Sequence, residues 1–268
     1  MRRFRVTQHQ NTVMTLTIHD LSLPTHFDLH NKTILVTGAG DGIGKVAAKT
    51  YAKLGATVIL LGRTVAKLEA VYDEIIAEQT DLSEAATPAI VPLDLNGATP
   101  SHYQQMAATI EGQFGKLDGV LHNASVLGLI QPFAQIPEKE FHEVMQVNLN
   151  SVFFMTQALI PAMKKAPQAS MIFTSSTVGK KGRAYWGSYA ISKFATEGMM
   201  ETLADEYDNS KIRFNCINPG ATRTQMRAKA FPAEDANTLK TAQDIMPLYC
   251  YLMDDHSREL TGKTIKAQ

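Results

Sequence analysis

The chain has 268 residues, of which 44% are hydrophobic, and its 26 basic side chains equal its 26 acidic ones in number. A formal net charge of zero gives no general attraction to nucleic acid or to an anionic membrane, and no apolar run approaches the roughly 18 residues of a membrane span. We therefore expect an enzyme-sized globular protein of the cytoplasm, with neither nucleic acid nor a membrane as a partner.

The first 29 residues lack a sustained hydrophobic period, and three of the first five residues are basic. No apolar segment of a secretory signal follows this basic start, although an organellar presequence stays open as an alternative, as does initiation at Met14. The pattern predicts a flexible extension over residues 1–29 and one structured domain over residues 30–268.

The sequence from Lys32 onward alternates between short β-branched runs and longer amphipathic runs. It begins TILVT, KVAAKTYAKLG, ATVILL and VAKLEAVYDEIIAE, and the alternation continues to IRFNCINP. Apolar strands separated by helices predict parallel strands buried on both faces and joined by right-handed crossovers. We therefore predict the α/β class, as a single Rossmann-type domain with a doubly wound parallel sheet of about seven strands flanked by helices.

The first predicted strand leads directly into TGAGDGIGKVAAK, which fits the spacing G-x-x-x-G-x-G through Gly38, Gly42 and Gly44. Glycines before a helix let backbone amides approach a pyrophosphate closely, and the helix N-terminus favours negative charge. We predict that a dinucleotide binds here, with Asp41 and Ile43 of the same loop among its contacts.

The second predicted strand ends at Arg63 and Thr64, where folds that read a ribose 2′-hydroxyl usually have a carboxylate. A guanidinium can bind a 2′-phosphate in a charge-assisted fork, so Arg63 favours NADP, with NAD as the alternative. Asp41 argues against this choice, because its carboxylate would repel that phosphate if it faced the same pocket.

Tyr189 and Lys193 are four positions apart in the run GSYAISKF, which predicts that they lie side by side on a helix. A fixed ammonium near a phenol favours the phenolate and lowers its pKa from about 10, which suits general acid/base chemistry. The alternative for an isolated pair of this kind is an aromatic ring packed on a lysine stem.

The chain contains two cysteines, Cys216 and Cys250. Their spacing matches neither a metal-ligand pattern nor a redox pair, and Cys216 lies in an apolar run. We expect two reduced, buried thiols, and the sequence predicts no metal site.

Six short motifs occur together in the order and spacing of a known family, namely TGAGDGIG, HNAS, QVNLNS, FTSSTVG, YAISK and NPGATRT. On these motifs, residues 30–268 resemble the short-chain dehydrogenase/reductase family. The runs LDGVLHNAS, GRAYWGSYAISKFATEGMM, NCINPGATRTQMRA and DIMPLY are further similar to its YciK-type bacterial branch. The resemblance implies hydride transfer between a nicotinamide and a carbonyl or alcohol, and it names no substrate.

The resemblance implies four catalytic positions. Tyr189 would be the general acid/base, Lys193 would lower its pKa and hold the nicotinamide ribose, and Ser176 would bind the substrate oxygen. Asn148 would support a water relay to the lysine. From the residues alone, Ser176 also fits a strand-end cap and Asn148 a buried amide. The family's further cofactor contacts fall on Asp94, Leu95, Asn123, Ala124, Pro219, Gly220, Thr222 and Thr224.

The chain departs from the family pattern at three positions. Ser125 stands where the family has glycine, His122 where asparagine is common, and Asp41 where NADP enzymes often have a basic residue. We expect the first two to adjust local packing and the third to weaken the preference for NADP.

The substrate pocket is expected to come from three segments, residues 126–132, 178–187 and 225–239. Trp186 is a predicted substrate contact, together with Ser176 and Tyr189. An apolar pocket wall is predicted from Leu127, Leu129, Ile130, Phe133 and Trp186, although core packing uses the same residue types.

The leading prediction is an NADP-dependent oxidoreductase of a small carbonyl or alcohol, and two other functions stay open. A 3-oxoacyl-carrier-protein-type reductase is one, because Lys180, Lys181 and Arg183 could meet an acidic carrier. A non-catalytic protein that uses NADP occupancy as a redox signal is the other, although it would not require Tyr189. The resemblance further implies a homodimer or homotetramer.

Overall fold

The computed structural model describes residues 16–78 and 86–268, which form one sheet of eight parallel strands with helices on both faces. The strands are β1 (Leu16–Thr17), β2 (Thr33–Thr37), β3 (Thr57–Gly62), β4 (Ala89–Pro92), β5 (Gly119–His122), β6 (Ala169–Thr174), β7 (Ile212–Asn218) and β8 (Lys263–Lys266). The helices are α1 (Gly42–Lys53), α2 (Val65–Glu78), α3 (Pro100–Phe114), α4 (Glu138–Met145), α5 (Ser151–Met163), α6 (Gly187–Glu206), α7 (Gln225–Ala230) and α8 (Met246–Met253). A π-helical turn at Gln146–Asn150 joins α4 to α5.

The central strands are buried along their whole length, which explains their apolar composition. Every residue of β2, β6 and β7 is buried. One hydrophobic cluster covers one face and includes Tyr51 of α1 and Tyr249 of α8. A second cluster covers the other face and includes Tyr103 of α3 and Met155 of α5. These layers confirm the predicted fold class, and the sheet gains its eighth strand from the two-residue β1.

The strand order reverses beside β2. Across the sheet the order is β1-β8-β7-β6-β5-β2-β3-β4, so the chain moves outward from β2 to β4 and then returns to place β5 on the other side of β2. In open parallel sheets, a ligand crevice forms at the carboxyl ends of the strands where the order reverses. The residues that follow β2 and β5 therefore border the expected binding site.

The N-terminal segment packs against the sheet from residue 16 onward. Strand β1 pairs in parallel with the end of β8, and Leu29 is fully buried in the core. The backbone N–H of Asp28 donates to the buried carboxylate of Asp254 at 2.7 Å. The prediction of a flexible extension is therefore wrong for residues 16–29, because Asp28 contacts a residue 226 positions away, which no local pattern reveals. Residues 1–15, with Met14, lie outside the described residues.

Within residues 16–78 and 86–268, no helix is long and apolar enough to cross a membrane. The same residues contain no cluster of three His, Cys, Asp or Glu side chains that could hold a metal ion. Cys216 and Cys250 are both free and buried, as predicted. Burial raises the pKa of the Cys250 thiol to about 12, which keeps it protonated and unreactive.

We expect Leu29→Ala to lower the free energy of unfolding by about 2–5 kcal/mol, because it removes a fully buried side chain from a packed core. The control is Leu129→Ala, at a leucine that is 58% exposed, which should change stability little. Urea unfolding of both variants measures the difference. Equal stabilities would mean that the segment before β2 does not pack on the core.

Candidate active site

A cavity of about 1230 Å³ opens at the carboxyl ends of the strands, beside the point where the strand order reverses. It exceeds the roughly 300–1,000 Å³ of a typical small-ligand pocket, so it has room for a dinucleotide and a second molecule together. Most of the predicted cofactor and substrate residues line this cavity. They are Gly38, Asp41, Gly42, Ile43, Arg63, Thr64, Asp94, Leu95, Asn123, Ala124, Ser176, Trp186, Tyr189, Pro219, Gly220, Thr222 and Thr224.

The glycine loop between β2 and α1 forms one wall of the cavity. Gly38 and Gly42 have φ angles of 68° and 52°, which residues with a side chain rarely adopt. Gly44 lies behind the wall, where a Cβ would be only 2.3 Å from the carbonyl oxygen of Gly38. Glycine is thus required at Gly38 and Gly42 for the left-handed backbone, and at Gly44 for its close contact with Gly38. Together these features bring the N-terminus of α1 to the cavity.

The rim of the cavity after β3 carries two cations. Arg63 is exposed beside Thr64. Lys67, in the first turn of α2, forms an ion pair of 2.6 Å with Asp41, and a hydrogen bond from Lys67 lowers the pKa of that carboxyl. The carboxylate that the sequence suggested would repel a phosphate is therefore neutralised by a neighbouring ammonium. Sequence reasoning missed Lys67, although its position only four residues after Arg63 was a usable signal.

The ends of β2 and β5 are joined by the hydroxyl of Thr37. It accepts hydrogen bonds from the backbone N–H groups of Asn123 and Ala124, each at 3.0 Å, and donates to the carbonyl of Leu121 at 3.3 Å. Gly38 packs closely against this junction, since a Cβ on it would lie 3.1 Å from the Cα of Ala124. These contacts fix Asn123 and Ala124 in the cavity wall.

Tyr189 lies at the cavity surface in the first turn of α6 and is 8% exposed. Burial raises the pKa of Tyr189 to about 12, and hydrogen bonding from Ser176 and Ser125, which line the same cavity, partly opposes that shift. The phenol is therefore protonated at neutral pH.

Lys193 lies one helical turn beyond Tyr189, as the spacing predicted, but it is buried behind the cavity wall. Its Nζ donates to the carbonyl oxygen of Thr174 at 2.8 Å and lies 5.4 Å from the centre of the Tyr189 ring. Burial lowers the pKa of Lys193 to about 8. The pKa of Tyr189 is raised overall because loss of solvation is its largest cause, and a lowering by Lys193 stays a prediction.

Asn148 lies in the π-helical turn between α4 and α5 and is also buried behind the wall. Its Oδ1 accepts from the N–H of Val126 at 2.8 Å, and its Nδ2 donates to the carbonyl of Val126 at 2.9 Å and to Ser192 Oγ at 3.1 Å. The side chain thus holds the loop that follows β5, next to Ser125. The water relay to Lys193 stays a prediction.

At His122 and Ser125 the chain departs from the family pattern, and we expected both residues to adjust local packing. The structure shows such a role for His122 and a different one for Ser125. His122 is buried, stacks on Phe173 with ring centres 5.2 Å apart, and contacts the hydroxyl of Thr156 at 3.0 Å. Burial lowers the pKa of His122 to about 3, so the ring is neutral. Ser125, in contrast, lines the cavity, and hydrogen bonding from it lowers the pKa of Tyr189. Its departure from glycine was the available signal for this second hydroxyl.

The cavity wall next to Tyr189 is largely apolar. The Trp186 ring centre lies 5.9 Å from that of Tyr189. Phe133, which the sequence predicted in this wall, is 72% exposed and does not line the cavity. The other apolar side chains of the wall are Leu127, Leu129, Ile130, Val178, Met226 and Phe231.

The loop after β7 is fastened by Gln268. Its Nε2 donates to the carbonyl of Pro219 at 2.7 Å and to the hydroxyl of Thr222 at 3.3 Å. Gly220 has a φ of 70°, and a Cβ on it would lie 2.6 Å from the Gln268 side chain. This is the loop that the resemblance assigned to the nicotinamide end of the cofactor. Gln268 holds it in the cavity wall, and the motif NPGATRT alone did not predict this contact.

Comparison with known proteins gives the chain its family. The family described as short chain dehydrogenase matches residues 32–235. The chain belongs to the short-chain dehydrogenase/reductase family. The uncharacterised oxidoreductase YciK of Escherichia coli strain K12 is 53% identical over 240 residues, which cover 90% of this chain and 93% of YciK. The predicted resemblance to the YciK-type branch is therefore confirmed, and this short-chain dehydrogenase is an oxidoreductase.

Two solved short-chain dehydrogenases have the same fold. One, from Shigella flexneri 2a strain 301 and complexed with NADP, has a TM-score of 0.87 and 52% identity, and the match covers 91% of this chain and 100% of that one. The other, from Escherichia coli CFT073 and complexed with NADPH, has a TM-score of 0.87 and 53% identity, with coverage of 91% and 100%. Dinucleotide binding in such close relatives agrees with the size and glycine lining of the cavity.

We expect Ser125→Gly to raise the pKa of Tyr189, because it removes a hydrogen bond that lowers that pKa. Alcohol oxidation in which Tyr189 accepts the proton should then slow by up to roughly tenfold at a fixed pH below this pKa, since a net hydrogen bond is worth about 0.5–1.5 kcal/mol. Ser125→Thr, which keeps the hydroxyl, is the control. A pH–rate profile of Ser125→Gly that matches the wild type would show that this hydroxyl does not act on Tyr189.

Proposed function

We propose that this short-chain dehydrogenase transfers a hydride between NADP(H) and a small carbonyl or alcohol substrate, with Tyr189 as the general acid/base. The observation that carries the proposal is the position of Tyr189, which lines the same cavity as Ser176 and the glycine loop. Ser176 would bind the substrate oxygen, and Trp186 would contact the rest of the substrate.

The proposed reduction needs a proton donor where negative charge develops. The nicotinamide, when bound, supplies the hydride. Ser176 and Tyr189 both offer hydrogen bonds to the carbonyl oxygen as it becomes negative. Because burial keeps the pKa of Tyr189 near 12, the phenol holds its proton at neutral pH and can give it to that oxygen. A positioned acid of this kind contributes roughly 10²- to 10⁴-fold to the rate.

Lys193 would stabilise the phenolate that remains after the proton transfer. With a pKa of about 8 it is charged at neutral pH, and its Nζ lies 5.4 Å from the Tyr189 ring centre. An ammonium at this distance favours the negative form of the phenol. Stabilising the phenolate and lowering the pKa of the phenol are one effect, so this is the role predicted from the sequence, acting against the larger effect of burial.

The residues at the rim fit a phosphorylated dinucleotide. Two cations, Arg63 and Lys67, line the cavity there, and the nearby Asp41 is paired with Lys67. The cofactor loop therefore presents a net positive charge where a 2′-phosphate would lie, which favours NADP over NAD. The two relatives complexed with NADP and NADPH support the same choice.

One of the three cations that could meet an acidic carrier protein is already paired within the fold. Lys180 forms ion pairs with Glu197 at 3.1 Å and Glu201 at 3.3 Å, so its charge is already compensated within the fold. Lys181 and Arg183 remain exposed. A carrier-linked substrate therefore stays a prediction with weaker support. The redox-signal alternative gains no support from a cavity that is lined by both Tyr189 and Ser176.

Assembly as a homodimer or homotetramer is also part of the proposal. Helices α5 and α6 expose large apolar side chains, with Phe153 on α5 and both Ile191 and Phe194 on α6. These are the helices around Asn148 and Tyr189 that the family uses for subunit contacts. The number of copies and the cytoplasmic location stay predictions.

We expect Arg63→Ala to weaken NADPH binding by roughly 10- to 100-fold and to leave NADH binding nearly unchanged, because hydrogen bonds to charged groups are worth about 1.5–3 kcal/mol. Lys67→Ala should weaken NADPH binding less, since Lys67 also pairs with Asp41. The control is Arg258→Ala, at an exposed arginine outside the cavity. Fluorescence titration of both reduced nucleotides gives the ratio of dissociation constants, and an unchanged ratio in Arg63→Ala would overturn the assignment.

We expect Tyr189→Phe to lose roughly 10²- to 10⁴-fold in turnover of carbonyls while it binds NADPH as the wild type does. The measurement follows NADPH consumption over a panel of ketones, aldehydes and quinones. Tyr185→Phe, at an exposed tyrosine close in sequence, is the control and should keep full activity. Tight NADPH binding by the wild type without turnover of any carbonyl would favour the redox-signal alternative.

A further inference from the structure

The substrate side of the cavity carries positive charge that the proposed reaction does not use. Lys181, Arg183 and Lys229 all line the cavity. In the part of the chain that the structure describes, none of the three forms an ion pair. Glu143 also lines the cavity, from α4, and is not paired with any of them. These cations come from the segments before α6 and in α7, where the sequence predicted the substrate pocket.

Arg183 is held by aromatic rings and not by a carboxylate. Its guanidinium carbon lies 5.8 Å from the Trp186 ring centre and 5.3 Å from that of Phe231, and the two ring centres are 5.8 Å apart. Stacking on ring faces uses the π-surface of the guanidinium and leaves its in-plane N–H donors available. The side chain is thus positioned and has its hydrogen-bonding edge unused among the described residues.

Arg227, the neighbouring arginine, shows the contrasting arrangement. It forms a two-point ion pair with Glu234, with both nitrogen–oxygen distances at 2.6 Å, and this pair lowers the pKa of Glu234. Its guanidinium carbon lies 3.8 Å from the Phe231 ring centre. Arg227 therefore has its charge compensated and supports Phe231, whereas Arg183 on the same ring keeps its charge for a ligand.

The path from Arg183 to the proposed reacting centre is short and apolar. Trp186 contacts Arg183 on one side and lies 5.9 Å from the Tyr189 ring centre on the other. Val178 and Tyr189 form an apolar cluster with Leu127, Trp186 and Met226 packed against it. A ligand whose carbonyl meets Tyr189 would place an apolar body along Trp186 and its far end at Arg183.

We propose that the substrate carries an oxyanion group, a carboxylate or a phosphate, at the end of an apolar body opposite the reacting carbonyl, and that Arg183 binds this group. The guanidinium fork matches both anions in two-point geometry. Lys181 and Lys229 add positive potential at the same rim, which attracts an anion before it binds. This inference rests on the proposed function for the location of the reacting carbonyl.

The experiment compares matched probes that differ only in the charged group. The probes are 4-acetylbenzoate, 4-acetylphenyl phosphate and the neutral methyl 4-acetylbenzoate. Calorimetry measures their binding to the full chain saturated with NADP⁺, and NADPH consumption measures their reduction. The proteins are the wild type, Arg183→Ala, Arg183→Lys and the control Arg258→Ala. The chain has one tryptophan, so Trp186 emission reports whether its ring stays in place in each variant.

We expect at least one anionic probe to bind roughly 10- to 100-fold more tightly than the ester, with the preferred anion identifying the carboxylate or the phosphate as the natural group. Arg183→Ala should remove this preference, Arg183→Lys should restore part of it, and Arg258→Ala should retain it. The proposal is overturned if no anion binds more tightly than the ester, or if Arg183→Ala keeps the preference while Trp186 emission is unchanged.

The proposed function can fail separately. If the anion preference depends on Arg183 but no probe or panel carbonyl oxidises NADPH, the anion site stands and hydride transfer at Tyr189 is wrong. If neutral carbonyls are reduced through Tyr189 and the anions are not bound, hydride transfer stands and the anionic substrate is wrong.

Discussion

The crevice depends on one hydroxyl, that of Thr37, which holds the ends of β2 and β5 at a fixed separation. The strand order reverses beside β2, so the loops that follow β2 and β5 leave in opposite directions. By accepting from two consecutive backbone N–H groups after β5, Thr37 keeps the two loops in register. Gly38 can then pack on Ala124, and Gly44 can pack on Gly38. The cofactor side of the cavity follows from these contacts.

On the substrate side of the cavity, burial has the largest effect on the pKa values of Tyr189 and Lys193. Removal from water favours the neutral forms of the Tyr189 phenol and the Lys193 amine. It raises the pKa of Tyr189 to about 12 and lowers the pKa of Lys193 to about 8. The two shifts move the pKa values of the groups apart, so that at neutral pH the phenol keeps its proton and the ammonium keeps most of its charge. Proton loss from Tyr189 then depends on groups that favour the phenolate, and hydrogen bonding from Ser176 and Ser125 acts in that direction.

Features that depend on local spacing could be predicted from the sequence. The alternation of elements predicted the sheet. The glycine spacing predicted the loop that forms one cavity wall, and the Tyr-Lys spacing predicted the helix that places Tyr189 at the cavity surface with Lys193 buried behind it. Contacts between distant segments could not be predicted in this way, which is why Lys67 beside Asp41 and Asp28 beside Asp254 were missed. The sequence also could not predict in which direction a buried side chain points. Lys193 therefore occupies the predicted helix position but is directed at a backbone carbonyl.

The outer strand β4 has a consequence for how the protein behaves at high concentration. An exposed strand edge is a template on which a second chain can add a strand, and a chain with zero net charge has little electrostatic repulsion to prevent this. Strand β4 lies at one side of the sheet and ends in Pro92, which has no N–H to donate. Proline thus limits strand addition at this edge where charge does not.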